Sequence, residues 1–126
     1  MLETNEKPAI LIVEDEPLIR MTAFDFVEDA GFKAIEACNA DEALALLHEH
    51  DNVCVLFTDV DMPGSMDGLQ LANLVSKHWP PIGIVIVSGH RRATTKQLPE
   101  GGLFFPKPYD IDKVTEALKS IADQVS

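Results

Sequence analysis

Four places in the chain put chemically capable side chains immediately after short apolar runs. Glu14-Asp15-Glu16 follows Ile10 to Val13, and Asp59-Val60-Asp61 follows Val53 to Thr58. Ser88-Gly89 follows Ile82 to Val87, and Lys107-Pro108 follows Leu103-Phe104-Phe105. Alone, each is an ordinary way for a strand to become a loop. Together they would supply carboxylates, a hydroxyl and an ammonium to one place. Carboxylates brought within ~4 Å repel by about 4 kcal/mol per pair at an effective dielectric near 20, so such a cluster needs positive charge. Lys107 supplies one charge and a hard divalent cation would supply two. Mg²⁺ suits an all-oxygen donor set, because it takes one or two carboxylates, keeps waters and accepts phosphate oxygens. No Cys/His cluster suggests zinc, and His48, His50, His78 and His90 have no ligand spacing with the carboxylates, so they are expected at the surface.

The elements that must position these residues alternate in type. Ala9 to Val13 is too short for a helix and rich in branched side chains, a strand pattern. Pro17 opens a helix whose stripe is Ile19, Ala23, Phe26, Val27 and Ala30, and Gly31 closes it. Phe32 to Ala37 reads as a second strand. Asn39, with Glu42 three residues on, caps a second helix whose inner face is Ala40, Ala43, Leu44 and Leu47. Val53 to Thr58 is apolar throughout, as expected of a strand covered on both faces. Leu71, Ala72, Val75 and Trp79 share a helical face that Pro80-Pro81 ends. A fourth strand over Ile82 to Val87 and a fifth over Leu103 to Phe105 follow. Asp110 caps a last helix with Ile111, Val114, Leu118, Ile121 and Val125 as its core-facing stripe. The stretch His90 to Gly102 must hold a further helix, the fourth of five, cut short by Pro99-Glu100-Gly101-Gly102. Strands alternating with helices imply an α/β, doubly wound, five-stranded parallel sheet, whose sites form at the carboxyl ends of the strands.

The 126 residues make one domain, residues 8–126, behind a flexible tail at residues 1–7. Asp and Glu number 21 against 10 Lys and Arg, a formal charge of -11 that repels phosphate backbones and weighs against direct nucleic-acid binding. Cys38 and Cys54, in or beside apolar runs, are expected to be reduced core residues. With no basic-then-apolar leader and no apolar run near 18 residues, the expected compartment is the cytoplasm, with no membrane span. Arg91, Arg92 and Lys96 form a basic cluster in this acidic chain: a solvated helix start, or a contact for an acidic partner.

From Ile10 to about Val125 the chain resembles the receiver domain of bacterial two-component response regulators. The resemblance rests on Glu14-Asp15, the run Asp59-Val60-Asp61-Met62-Pro63-Gly64-Ser65-Met66-Asp67-Gly68, Ser88-Gly89, and Phe105-Pro106-Lys107-Pro108. It implies a flavodoxin-like sheet of order 2-1-3-4-5 and a phosphoacceptor signalling protein, not a turnover enzyme. By resemblance, Asp59 is the phosphoacceptor and Asp15 and Asp59 bind Mg²⁺ directly. Glu14 acts through water and Asp61 through its backbone carbonyl. Ser88 bonds a phosphoryl oxygen, Lys107 pairs with another across a cis Lys107-Pro108 bond, and Phe104 is the switch aromatic. The implied donor is a histidine kinase or a histidine phosphotransfer protein, with a downstream protein target as a further partner. The output would be a changed surface, a passed-on phosphoryl group or consumption of phosphate. Three departures stand out: the acidic Asp61, expected to be solvated; the loop Met62 to Gly68, one residue longer than the commonest form with its bulge at Ser65; and the stunted fourth helix.

Two other readings compete. A haloacid-dehalogenase-like phosphatase also uses an aspartyl phosphate and Mg²⁺, but its nucleophile opens the first strand and its acidic pair comes last. A phosphorylation-independent interaction module would keep the fold and leave Asp59 unused. A calcium loop from Asp59 fails, because Pro63 stands at the fifth position and Gln70 at the twelfth, where a Glu is needed.

Overall fold

The computed structural model describes residues 7–89 and 98–125. Nine elements follow in order: β1 (Ala9–Val13), α1 (Pro17–Asp29), β2 (Lys33–Ala37), α2 (Ala40–Glu49), β3 (Val53–Asp59), α3 (Gly68–His78), β4 (Gly83–Ser88), β5 (Leu103–Pro106) and α4 (Ile111–Val125). The strands pair in parallel in the order β2-β1-β3-β4-β5, the expected doubly wound sheet. Four helices lie among the described residues. The expected short helix between β4 and β5, with His90, Arg91, Arg92 and Lys96, falls on residues 90–97, outside them. Of that stretch, Pro99 to Gly102 is a turn in which the Gly102 N–H donates to the Pro99 carbonyl at 2.9 Å. The expected tail also lies mostly outside the described residues, and the Lys7 carbonyl accepts from Asn52 Nδ2 at 3.0 Å.

Strand alternation sorts the core onto two faces. Leu11, Val13, Leu56, Ile84 and Ile86 face α2 and α3, whose Ala43, Leu47, Leu71, Ala72 and Val75 cover them. Ile10, Ile12, Phe57, Val85 and Val87 face α1 and α4, against Ala23, Phe26, Val27, Val114, Leu118 and Ala122. The β1–β3 pairing steps from Ala9↔Val53 to Ile10↔Val55, skipping Cys54. That bulge lets Cys54 and Val55 share the second core. Cys54 is buried as expected, but Cys38 is only half-buried, because it lies just past β2 where the covering helix begins.

The helix ends bear out the capping residues. Asn39 Oδ1 accepts from Glu42 N at 2.8 Å, while Glu42 reaches back one residue further than a capping box, to Cys38 N at 2.6 Å. Asp110 Oδ1 accepts from Asp112 N at 2.9 Å. Two stripe residues do not go inside: Ile19 is 37% exposed and Ile111 41%. Both sit in first helical turns, beside the loops at the sheet's carboxyl edge and not over the sheet. Ala122, missed in the last stripe, is buried instead.

Leu118 is fully buried in the second core. Leu118→Ala is expected to lower the unfolding free energy by about 3 kcal/mol, read from urea denaturation.

Candidate functional site

Register decides what meets at the carboxyl edge. Val13 pairs with Thr58, Asp59 with Val87, and Ser88 with Pro106. One residue beyond these pairs lie Glu14, Val60, Gly89 and Lys107, so Glu14 and Lys107 flank Asp59 from either side. Backbone bonds continue each ladder past the strand: Glu14 N–H donates to the Ala37 carbonyl at 3.0 Å, Val60 to Val87 at 2.9 Å, and Lys107 to Ser88 at 2.9 Å.

Lys107 Nζ donates to Glu14 Oε1 and to Asp59 Oδ2, both at 3.1 Å. It bridges two buried carboxylates. Glu14's other oxygen accepts from the Glu16 N–H at 3.1 Å, and Asp59 Oδ1 accepts from the Asp61 N–H at 3.3 Å. Burial pushes the Glu14 carboxyl above its ordinary pKa, and the neighbouring Asp59 charge adds to this. Burial likewise raises Asp59, against the pull of Lys107. For Lys107 burial acts against the ammonium, but its bonds to Asp59 and Glu14 outweigh that and its pKa rises.

Carboxylate oxygens of Glu14, Asp15 and Asp59 lie within 4.8 Å of one another, with Asp15 exposed and the other two buried. An all-oxygen set with two carboxylates held against desolvation suits a hard divalent cation. Asp61, expected near the cation through its carbonyl and solvated in its side chain, is exposed, yet its Oδ2 accepts from Ser88 Oγ at 3.1 Å. Phe104 pairs with Ile86 and is half-buried against the α2–α3 core. The Lys107-Pro108 bond is cis. In the lengthened loop the positive φ falls on Gly64, at 112°, and the neighbouring Ser65 hydroxyl donates to Asp41 Oδ1 at 2.9 Å. Gly68 closes that loop: a Cβ there would clash with the Asp59 carbonyl oxygen, so only glycine lets α3 start so close to the end of β3.

Two site residues had no signal in the spacing. Arg20 Nη1 donates to the Glu14 carbonyl at 2.9 Å while Nε meets Glu36 at 3.1 Å, tying the acidic loop to β2. Tyr109 packs edge-on against Phe57 and Phe26 and lines a small cavity with Glu14 and Asp59. Burial lifts its phenol to about 12.

The response regulator receiver domain profile matches residues 10–119. The chain belongs to that family. It is 34% identical over 110 residues to the nitrogen assimilation regulatory protein NtrX of Azorhizobium caulinodans, covering 83% of this chain and 24% of the relative. It is 31% identical over 119 residues to the sensor kinase CckA of Brucella abortus, covering 91% and 12%. The chain therefore spans a quarter or less of these relatives. A solved receiver domain from hybrid histidine kinase CckA superposes with a TM-score of 0.75 at 31% identity, covering 90% of this chain and 97% of that one. A receiver protein from Sinorhizobium medicae shares the fold at a TM-score of 0.87 and 21% identity, covering 98% and 100%. Membership favours the receiver over the phosphatase reading, and this family is a signalling domain. No helix of the described residues is long and apolar enough to cross a membrane.

Because folding raises both buried carboxyls, their ionised forms weaken the fold at pH above the raised values. That weakening fades as pH falls toward the ordinary 4.5 and 3.8. Lys107 works oppositely, stabilising below its ordinary 10.5 and losing this as pH climbs through its raised value. In metal-free buffer at pH 8, Asp59→Asn is expected to raise Tm, by about 4 °C per kcal/mol of relieved repulsion, with the gain shrinking toward pH 4. Melting curves across that range check it.

Proposed function

We propose that this receiver domain takes a phosphoryl group onto Asp59 from a phosphohistidine of a histidine kinase or phosphotransfer protein, and that the acquired charge switches a protein-binding surface. The observation that carries this is Lys107 bridging Glu14 and Asp59 at 3.1 Å on each side, at the mouth of a cleft of about 310 Å³ that Asp15 and Asp61 also line. A carboxylate oxygen of Asp59 attacks phosphorus, the new O–P bond forms as the N–P bond breaks, and the imidazole nitrogen leaves with the electron pair. Charge spreads over the equatorial phosphoryl oxygens in the transition state, so fixed cations and donors around them carry the catalysis. Lys107 turns from the Asp59 carboxylate to one such oxygen and Ser88 offers its hydroxyl to another.

Asp15 and Asp59 would hold Mg²⁺ directly, with Asp61 contributing its carbonyl. Glu14, both of whose oxygens are already engaged by Lys107 and Glu16, fits a role through water. Such an ion supplies two positive charges where four carboxylates face a single lysine.

Intact-protein mass after exposure to acetyl phosphate with Mg²⁺ tests the acceptor. A single phosphoryl adduct is expected, absent without Mg²⁺ and absent in Asp59→Asn. Lys107→Ala is expected to slow its formation on the order of a hundred-fold.

Donor docking belongs beside the cleft. Leu18 and Met21 on α1 are 72% and 58% exposed, and next to them Ile19, Thr22, Pro108, Tyr109 and Ile111 line a groove of about 410 Å³. Lys107 lines both this groove and the cleft, so an apolar helix seated here brings its histidine to Asp59. Leu18→Glu is expected to lower the ratio of the protein-donor rate to the acetyl-phosphate rate by about tenfold or more, in parallel phosphorylation time courses.

A further inference from the structure

Ser88 is the last residue of β4, and Asp61 lies two residues past the end of the neighbouring β3. Ser88 is 1% exposed and its Oγ donates to Asp61 Oδ2 at 3.1 Å, whereas the Asp61 side chain stands at the surface. The Asp61 backbone N–H donates at the same time to Asp59 Oδ1 at 3.3 Å. One residue thus touches the acceptor with its backbone and the buried hydroxyl with its side chain. Its carboxylate is acidic where a cluster of carboxylates already stands, so it adds repulsion that a neutral acceptor would not.

We infer that Asp61 is a positioning residue for the response: its carboxylate holds the Ser88 hydroxyl in the resting domain, and the arriving phosphoryl group must take that hydrogen bond from it. The inference rests on Asp59 being the phosphoacceptor. A hydroxyl has one proton to give. While it goes to Asp61 it is withheld from an oxygen above Asp59, and when it goes to the phosphoryl group Asp61 is left to water. Both competing acceptors are anionic and both bonds are charge-assisted, so the two arrangements are closer in free energy than with no competitor. Asp61 is already exposed, which makes its release to water inexpensive. The Asp61 side chain therefore biases how far the Ser88 region rests from its phosphorylated position. A net hydrogen bond is worth about 1 kcal/mol, a factor of about five in that balance.

The test uses the full chain. In the phosphate-free, metal-free protein, Asp61→Ala is expected to move the Ser88 backbone resonances toward their positions in the phosphorylated domain. Asp61→Asn, which keeps an accepting oxygen, is expected to hold them near the wild-type positions. With acetyl phosphate at saturating Mg²⁺, Asp61→Ala is expected to speed adduct formation roughly five-fold in the native background, and that gain is expected to vanish when Ser88→Ala is also present. Ser88 resonances unmoved by Asp61→Ala would overturn the inference. So would a rate gain of equal size in the Ser88→Ala background, which would mean simple relief of repulsion at Asp59. If the wild-type chain takes up no phosphoryl group from any donor, the reading of Asp59 fails. In that case the resonances are compared between Asp61→Ala and Asp61→Asn alone: a shift in the first and not the second upholds the Ser88–Asp61 link, and identical spectra overturn it.

Discussion

The structure turns on a buried concentration of like charge held together by one ammonium. Glu14 and Asp59 are almost wholly removed from water, and Lys107 Nζ sits between them at 3.1 Å from each. Burial acts against all three ionised groups, and the two bonds to Lys107 only partly offset that for the carboxylates. The fold tolerates this because the cost lies at an edge, beneath which two continuous apolar layers supply the stabilisation. The negative charge left uncompensated at this edge suits a hard cation.

Much of the remaining architecture serves that edge. The parallel sheet puts every strand's carboxyl end on one side, and its register places Glu14, Asp59, Ser88 and Lys107 side by side. Gly68 lets α3 begin against the Asp59 carbonyl, and its helix is secured by a reciprocal cap in which Asp67 and Gln70 each accept from the other's backbone N–H at 2.9 Å. Arg20 ties the acidic loop to β2. These contacts hold the charged groups in place without neutralising them, which is what preorganisation requires.

The apolar surface beside the cleft has the same origin. Helices in this sheet start at the carboxyl edge, so their first turns overhang the loops and not the strands. Ile19 and Ile111 keep the helical spacing of buried residues but have no sheet beneath them, and with Leu18 and Met21 they leave an oily margin next to the acidic cleft. The topology, by starting the helices at the carboxyl edge, leaves this apolar margin beside the cleft.

The sequence by itself determined the strands, the four helices among the described residues, the sheet class and the residues that follow each strand. These rest on local properties: branched apolar runs, helical spacing, capping residues, and the rule that parallel sheets gather their chemistry at one edge. It also carried the Asn39 and Asp110 caps and the cis proline that the family resemblance implied. Tertiary structure alone decided which side chains bond across strands. That Ser88 gives its proton to Asp61, that Lys107 spans two carboxylates, that Arg20 reaches back to Glu14 and that Tyr109 closes the cavity beneath depend on register and on side-chain direction between segments far apart in the chain. Periodicity reports which face a residue shares with its own neighbours; it says nothing of what another strand or helix sets opposite that face, nor whether anything does.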